Sequence, residues 1–198
     1  MTNKIVLASN NENKIREVRH FFEPLSIEVV PQALFQLPAV EETALTFVEN
    51  ALIKARNACQ ATGLPAIADD SGLEVDALNG KPGVHSARFA NAQLGSKEYC
   101  RRLLEALINA PPEKRTARYR SVIVLLRHTE DPSPIIGQGV WEGIIAHTPT
   151  GVNGFGFDPV FFLPNQHCTV AQLTLEEKNK LSHRGLALRD LVRQIASL

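Results

Sequence analysis

The chain has 198 residues, 44% of them apolar, and its 21 Lys and Arg balance 21 Asp and Glu. That size and apolar content support one sizeable domain with a real core and exclude wholesale disorder, while the zero net charge argues against a dedicated nucleic-acid-binding protein, where a basic excess would meet the phosphates. Cys59, Cys100 and Cys168 are odd in number and far apart and the six histidines show no paired metal spacing, so reduced thiols, no zinc site and a cytoplasmic setting are expected.

In chain order, residues 4–8 form a short β-branched run that predicts a buried strand, too brief for a secretory leader; no later stretch reaches membrane-spanning length. Residues 11–22 place Ile15, Val18, Phe21 and Phe22 at helical spacing, with Pro24 beyond the end. Residues 27–30 read as a second strand. Residues 46–62 predict a helix with Phe47, Ala51, Ala55 and Cys59 on one face, ended by Gly63 and Pro65. Strand pieces at 66–68 and 73–75 flank Asp69-Asp70-Ser71-Gly72, and Ser96 caps a third helix running to about residue 109. The polar Pro-Pro segment 109–115 is the nearest candidate for an internal break. Residues 118–127 and 135–146 predict a hairpin turning at 131–134, and a short strand at 160–163 follows a Gly-rich loop. Thr174 to Glu177 is a capping box, and an amphipathic helix over 186–195 closes the chain. This alternation predicts an α/β fold with a mixed sheet flanked by helices.

Four clusters carry chemistry. Ser9-Asn10-Asn11-Glu12-Asn13-Lys14 lies between a strand and a helix start, where free N–H groups and the positive dipole end favour phosphate. It has no glycine, so Asn10 and Asn13 are the residues able to take a left-handed backbone; an Asn-rich cap without a ligand is the plain alternative. Asp69-Asp70 leave an apolar strand, and adjacent carboxylates there need solvation, hydrogen bonds or a metal. Such a site suits Mg²⁺, which takes one or two carboxylates plus water and phosphate oxygens, and Asp-Ser-Gly reads equally as an ordinary turn. Glu41-Glu42, before the second helix, supplies another oxygen ligand or, the favoured plain reading, simply an acidic helix entrance. Gly151 to Pro159 combines three glycines with Phe155, Phe157 and Asp158, a loop fit for base stacking or a turn whose phenylalanines are core. The fourth cluster is Lys178 followed by Ser182-His183-Arg184-Gly185: with Ser182 as cap, His183 and Arg184 sit at the start of the last helix against the dipole, which reads as a nearby anion or acceptor or equally as a surface basic pair.

In combination the segments LASNNENK, FVENALIKA, IADDSGLEVDAL, PGVHSARF, GFGFDPVFF and EEKNKLSHRG resemble the inosine/xanthosine triphosphate pyrophosphatases, from residue 5 to about residue 190. The resemblance implies one two-lobed domain over residues 1–198 with its active cleft between the lobes, a homodimer, and Mg²⁺. It implies hydrolysis of ITP, dITP and XTP to the monophosphate and pyrophosphate. Ser9, Asn10, Asn11, Glu12, Asn13, Lys14 and Lys54 would hold the triphosphate of a purine nucleotide. Asp70 would be catalytic base and metal ligand, Glu42 a second metal ligand, and Ser71 a substrate contact. Phe155, Gly156, Phe157, Asp158, Lys178, His183 and Arg184 fall on base-recognition positions, with Arg88 an extra phosphate contact. Asn10 and Asn13 stand where glycine is usual, and Phe157 replaces a Tyr or Trp. No stable nucleic-acid complex and no membrane attachment is implied. A pyrophosphatase for modified pyrimidines and a catalytically silent nucleotide sensor are the competing readings; the SHR segment disfavours the first and retention of Asp69, Asp70 and Glu42 the second.

Overall fold

The short apolar run at the start forms β1 (Lys4–Leu7), whose Ile5, Val6 and Leu7 are buried, and it pairs in parallel with two neighbours. On one side lies β2 (Glu28–Pro31), with Val6 opposite Val30; on the other lies β3 (Ala66–Val75), with Val6 opposite Ala66. The later strands are β4 (Thr116–Leu126), β5 (Ile135–Ile145), β6 (Phe161–Leu163) and β7 (Cys168–Thr169). All seven join one sheet in the order β2-β1-β3-β4-β5-β6-β7. Because β5–β6 and β6–β7 run antiparallel, the sheet is mixed, as the alternation of elements predicts. The computed structural model describes residues 3–38, 40–89 and 95–197, and the side chain of Asn13 lies outside the described residues.

The helices follow their local signals. α1 (Glu12–Phe22) buries Ile15, Val18 and Phe22 at helical spacing. α2 (Phe47–Thr62) starts at Thr46, whose side chain accepts from the Glu49 N–H, and ends at Gly63, which takes φ +66° and donates to the Cys59 carbonyl. α3 spans Gly95–Ala106, so Ser96 sits inside the first turn rather than capping it. α4 (Leu175–Leu181) carries the expected capping box between Thr174 and Glu177. α5 (His183–Ala196) begins three residues earlier than the apolar pattern indicates, which places His183 and Arg184 in its first turn. Among the described residues no helix is long and apolar enough to cross a membrane.

Two expectations are corrected. Asp69-Asp70-Ser71-Gly72 is no turn: β3 runs unbroken through it, because both carboxylates find partners and can be buried within a strand. Nor is the Pro-Pro segment a boundary. Arg115, 4% exposed, donates from its guanidinium to the carbonyls of Leu107, Ile145 and Ala146, tying that segment into its surroundings.

The chain divides instead into two compact units, each built from separated stretches: Met1–Asp70, Ser121–Gly139 and Arg184–Leu198 in the first, Ser71–Arg120 and Val140–His183 in the second. The first has a core around Leu7, Phe22, Ile67, Ile123, Leu188 and Leu191. In it Gly137 of β5 admits α5 closely, since a Cβ there would strike the Ala187 carbonyl and Leu191. The second has its own core around Leu73, Leu103, Tyr119, Trp141, Phe157 and Phe161. All three cysteines are free thiols.

Candidate active site

In the first unit, the chain leaves β1 at Leu7 and enters α1 at Glu12, and the connecting residues edge a cavity of about 280 Å³. Ala8, Ser9, Asn10, Asn11, Lys14, Gln32, Val40, Glu42, Lys54 and Asp69 line it. Asn11 caps α1: its Oδ1 accepts from the Lys14 N–H at 3.3 Å, while its own N–H donates to Ser9 Oγ at 3.2 Å. That cap fixes the loop by side-chain hydrogen bonds. Asn10 and helical Asn13 do not take the left-handed backbone expected of them; among described non-glycine residues it occurs at Ser26, Gln36, Asn79 and His167. Glu12 is exposed in the first turn of the helix.

The cations of this cavity are held by carboxylates. Lys14 Nζ donates to Asp69 Oδ1 at 2.9 Å. Lys54 Nζ donates to Glu42 Oε1 at 2.7 Å and to the Asp69 carbonyl at 2.6 Å, and stands 3.7 Å from Asp70 Oδ1. Arg184, 4% exposed, reaches Asp69 Oδ2 at 3.4 Å and Glu17 at 3.0 Å. Here is the acceptor that a cation at a helix N-terminus requires: Arg184 pairs with both Asp69 and Glu17.

The two adjacent aspartates are thereby made different. Burial alone would raise the Asp69 carboxyl, but the charges of Lys14, Arg184 and Lys54 outweigh it and hold Asp69 well below the usual carboxylate range. For Asp70 burial wins over Lys54, Glu42 adds to it, and the carboxyl is pushed up to about 6. Asn50, fully buried on α2, orients Asp70 by donating to Oδ2 at 3.1 Å and is itself fixed by the backbone of Ala44. A permanently ionised aspartate thus adjoins one whose proton is exchangeable near neutrality.

In the second unit the loop before β6 folds around Asp158, which is 2% exposed. Its Oδ2 accepts from the Phe155 N–H at 2.8 Å and from Lys178, and its Oδ1 accepts from Tyr119 Oη at 3.3 Å. Gly154 makes this clamp possible: it takes φ +75°, and a Cβ there would meet the Asp158 carboxylate. The two phenylalanines part company. Phe157 is 3% exposed and packs on Phe89 and Tyr99. Phe155 is 43% exposed, with Lys178 Nζ 4.4 Å from its ring centre. Gly156 between them takes φ +59°. His183 is buried and its ring lies parallel to that of Tyr119, 4.8 Å apart at 13°. Ser71 and Arg88 belong to this unit, Arg88 exposed at the end of the 3-10 turn Gly83–Arg88.

The Ham1 family model matches residues 5–194. The chain belongs to the Ham1 family. Its curated relatives include the dITP/XTP pyrophosphatase of Yersinia pseudotuberculosis, 52% identical over 94% of both chains, and that of Vibrio cholerae, 49% identical over 97% of this chain and 96% of the other. Among solved structures, a HAM1 protein from Coxiella burnetii is 48% identical with a TM-score of 0.94, covering 98% of this chain and 99% of that one. A nucleoside-triphosphatase / dITP/XTP pyrophosphatase from Mycobacterium abscessus is 41% identical with a TM-score of 0.78, over 97% and 99% of the two chains.

Several residues of this Ham1-family site escape a reading of the sequence. Asn50 carries one local signal, a polar amide on the apolar face of α2, between Phe47 and Ala51. Glu17 and Gln32 carry none, since their partners and surroundings are remote in sequence. Tyr119 reads as an inward residue of an alternating strand, and only its contacts single it out.

Proposed function

We propose that the chain hydrolyses inosine, deoxyinosine and xanthosine triphosphates to the monophosphate and pyrophosphate, with magnesium as cofactor. The observation that carries this reading is the convergence of Glu42 and Asp70 on Lys54, at 2.7 and 3.7 Å, beside a cavity that Lys14 and the cap of α1 also line. Among the described residues no group of three or more metal-ligating side chains forms. A pair of hard carboxylates is the set Mg²⁺ uses when water and phosphate oxygens complete its shell, so Glu42 and Asp70 fit it. Magnesium, when bound, supplies positive charge to the triphosphate.

The chain's own groups then divide the work. Lys14 and Lys54 meet phosphate oxygens, and the α1 N-terminus adds N–H donors. A water held by Asp70 attacks the α-phosphorus and gives its proton to the carboxylate; the bond from that phosphorus to the bridging oxygen breaks, and pyrophosphate leaves. Asn50 holds Asp70 in place for this role by donating to its Oδ2 at 3.1 Å. Asp69 stays ionised and tethers Lys14 and Arg184.

On the base side, the half-exposed Phe155 ring offers a stacking face, and Lys178 and His183 offer donors to the 6-oxo group of hypoxanthine or xanthine. An adenine 6-amino group, itself a donor, would face these donors without supplying an acceptor, at a cost of roughly 1–3 kcal/mol. Homodimer formation and a cytoplasmic location belong to the same reading and rest on the family likeness.

The test is product analysis in isotope-labelled water, with ITP, XTP, GTP and ATP supplied with Mg²⁺. IMP carrying the label and unlabelled pyrophosphate are expected from ITP. IDP with orthophosphate, or label in the pyrophosphate, would overturn the reading.

A further inference from the structure

We infer that Tyr119 is the positioning residue on which the base discrimination of this site depends, an inference that rests on the reading of Lys178, His183 and Phe155 as base-recognition groups. Tyr119 lies in β4, where Ala117, Tyr119 and Ser121 are buried and the residues between them less so. Its ring is 8% exposed, packed against Phe161 at 4.5 Å between centres.

Two contacts give it reach. The first is the parallel stack with His183, 4.8 Å between centres and 13° between planes. A ring held flat on another can slide but not tilt, so the stack fixes the plane in which the imidazole nitrogens point. The direction of a donor is what separates an oxo acceptor from an amino donor. The second is the hydrogen bond from Oη to Asp158 Oδ1 at 3.3 Å. Burial, with the Asp158 charge adding to it, pushes the phenol well above its ordinary range, so it stays a donor at all working pH values. Asp158 in turn holds the Phe155 N–H and the Lys178 ammonium. Every proposed base-reading group of the second unit is therefore one or two contacts from this side chain: His183 and Asp158 directly, Phe155 and Lys178 through Asp158. Tyr119 reaches the base only through these groups.

The hydroxyl and the ring separate in two variants. Tyr119→Phe keeps the platform under His183 and removes one of the donors to Asp158. Tyr119→Leu removes both. The ratio of kcat/KM for ITP to that for ATP should fall about tenfold in Tyr119→Phe, the equivalent of one hydrogen bond to a charged group. It should fall further in Tyr119→Leu. The loss on ITP should appear mainly in KM, with the pH profile of kcat unchanged. On an Asp158→Ala background, Tyr119→Phe should alter the ratio no further.

A side chain that merely supports the core would lower the melting temperature and reduce both substrates in parallel; that result overturns the inference. Should Tyr119→Leu fail to fold, Tyr119→Phe carries the test alone. A wild-type enzyme that discriminates while Tyr119→Phe keeps the full ratio overturns this inference only. A wild-type enzyme that cleaves ITP and ATP alike overturns the proposed function and this inference with it.

Discussion

Asp69 and Asp70 show how two identical neighbours acquire opposite chemistry. Successive strand residues point to opposite faces, so one carboxylate meets Lys14 and Arg184 while the other meets Asn50, Lys54 and Glu42. Three cations outweigh burial at Asp69; at Asp70 burial prevails and the carboxyl rises to about 6. A group whose folded value lies above its unfolded one favours the fold when protonated and disfavours it as pH rises through the folded value. Asp70→Asn should therefore stabilise the protein in chelator near pH 8, by about 2–3 kcal/mol at 1.4 kcal/mol per tenfold, and the gain should vanish below about pH 4. The same substitution should cut turnover of ITP with Mg²⁺ by about 10²–10⁴-fold. Melting curves at the two pH values and steady-state rates check both halves. Unchanged or reduced stability near pH 8 would show that Asp70 is not a strained buried charge.

At the scale of elements, the connection from β4 to β5 is held by one carboxylate. Asp131, 2% exposed, accepts from the Arg127 N–H at 2.9 Å, from the Arg127 guanidinium at 2.9 and 2.6 Å, and from the Ser133 N–H at 3.0 Å. Those bonds, the Arg127 guanidinium foremost, hold its carboxyl well below the usual carboxylate range. A depressed value means stability that is present above the ordinary aspartate range and is lost as pH falls below about 4. Asp131→Ala should destabilise the protein by about 2 kcal/mol near pH 7, the worth of hydrogen bonds to a charged group, and by progressively less as pH is lowered through about 4 toward about 2. Urea melts across this pH range test this. An equal penalty throughout would mean that the turn is shaped by its prolines and not by the carboxylate.

At the scale of the molecule, each unit has a core of its own, yet neither is a continuous stretch of chain. β3, β4 and β5 each begin in one unit and finish in the other, and all belong to one hydrogen-bonded sheet. Unfolding one unit must therefore disorder strands that the other needs. Leu188→Ala in the first core and Leu103→Ala in the second, both fully buried, should each cost about 2–5 kcal/mol. Each should shift a single shared transition. Calorimetry gives the readout, and a second, separate transition in either variant would show that the units melt independently.

What the sequence determined by itself is what local physics controls. Thr46 and Gly63 bound α2, and Thr174 with Glu177 starts α4, because the donors and backbone angles concerned lie within four residues. Alternating short strands and helices established the mixed α/β sheet, and the Ser9–Lys14 segment fell at a helix entrance as its composition indicates. Tertiary structure decided the rest, since burial and charge pairing join residues remote in the chain. The Asp-Asp-Ser-Gly segment reads locally as a turn, but Lys14, 55 residues before Asp69, and Arg184, 115 after, let it continue as strand. Phe155 and Phe157 are alike in sequence, and only the packing of Phe89 and Tyr99 sends one to the core and leaves the other half exposed. Arg184 reads by position as a cation in need of an acceptor, and only the fold brings Glu17 and Asp69 to it. Tyr119 reads locally only as an inward strand residue; its meaning comes from what stacks on it and what its hydroxyl reaches.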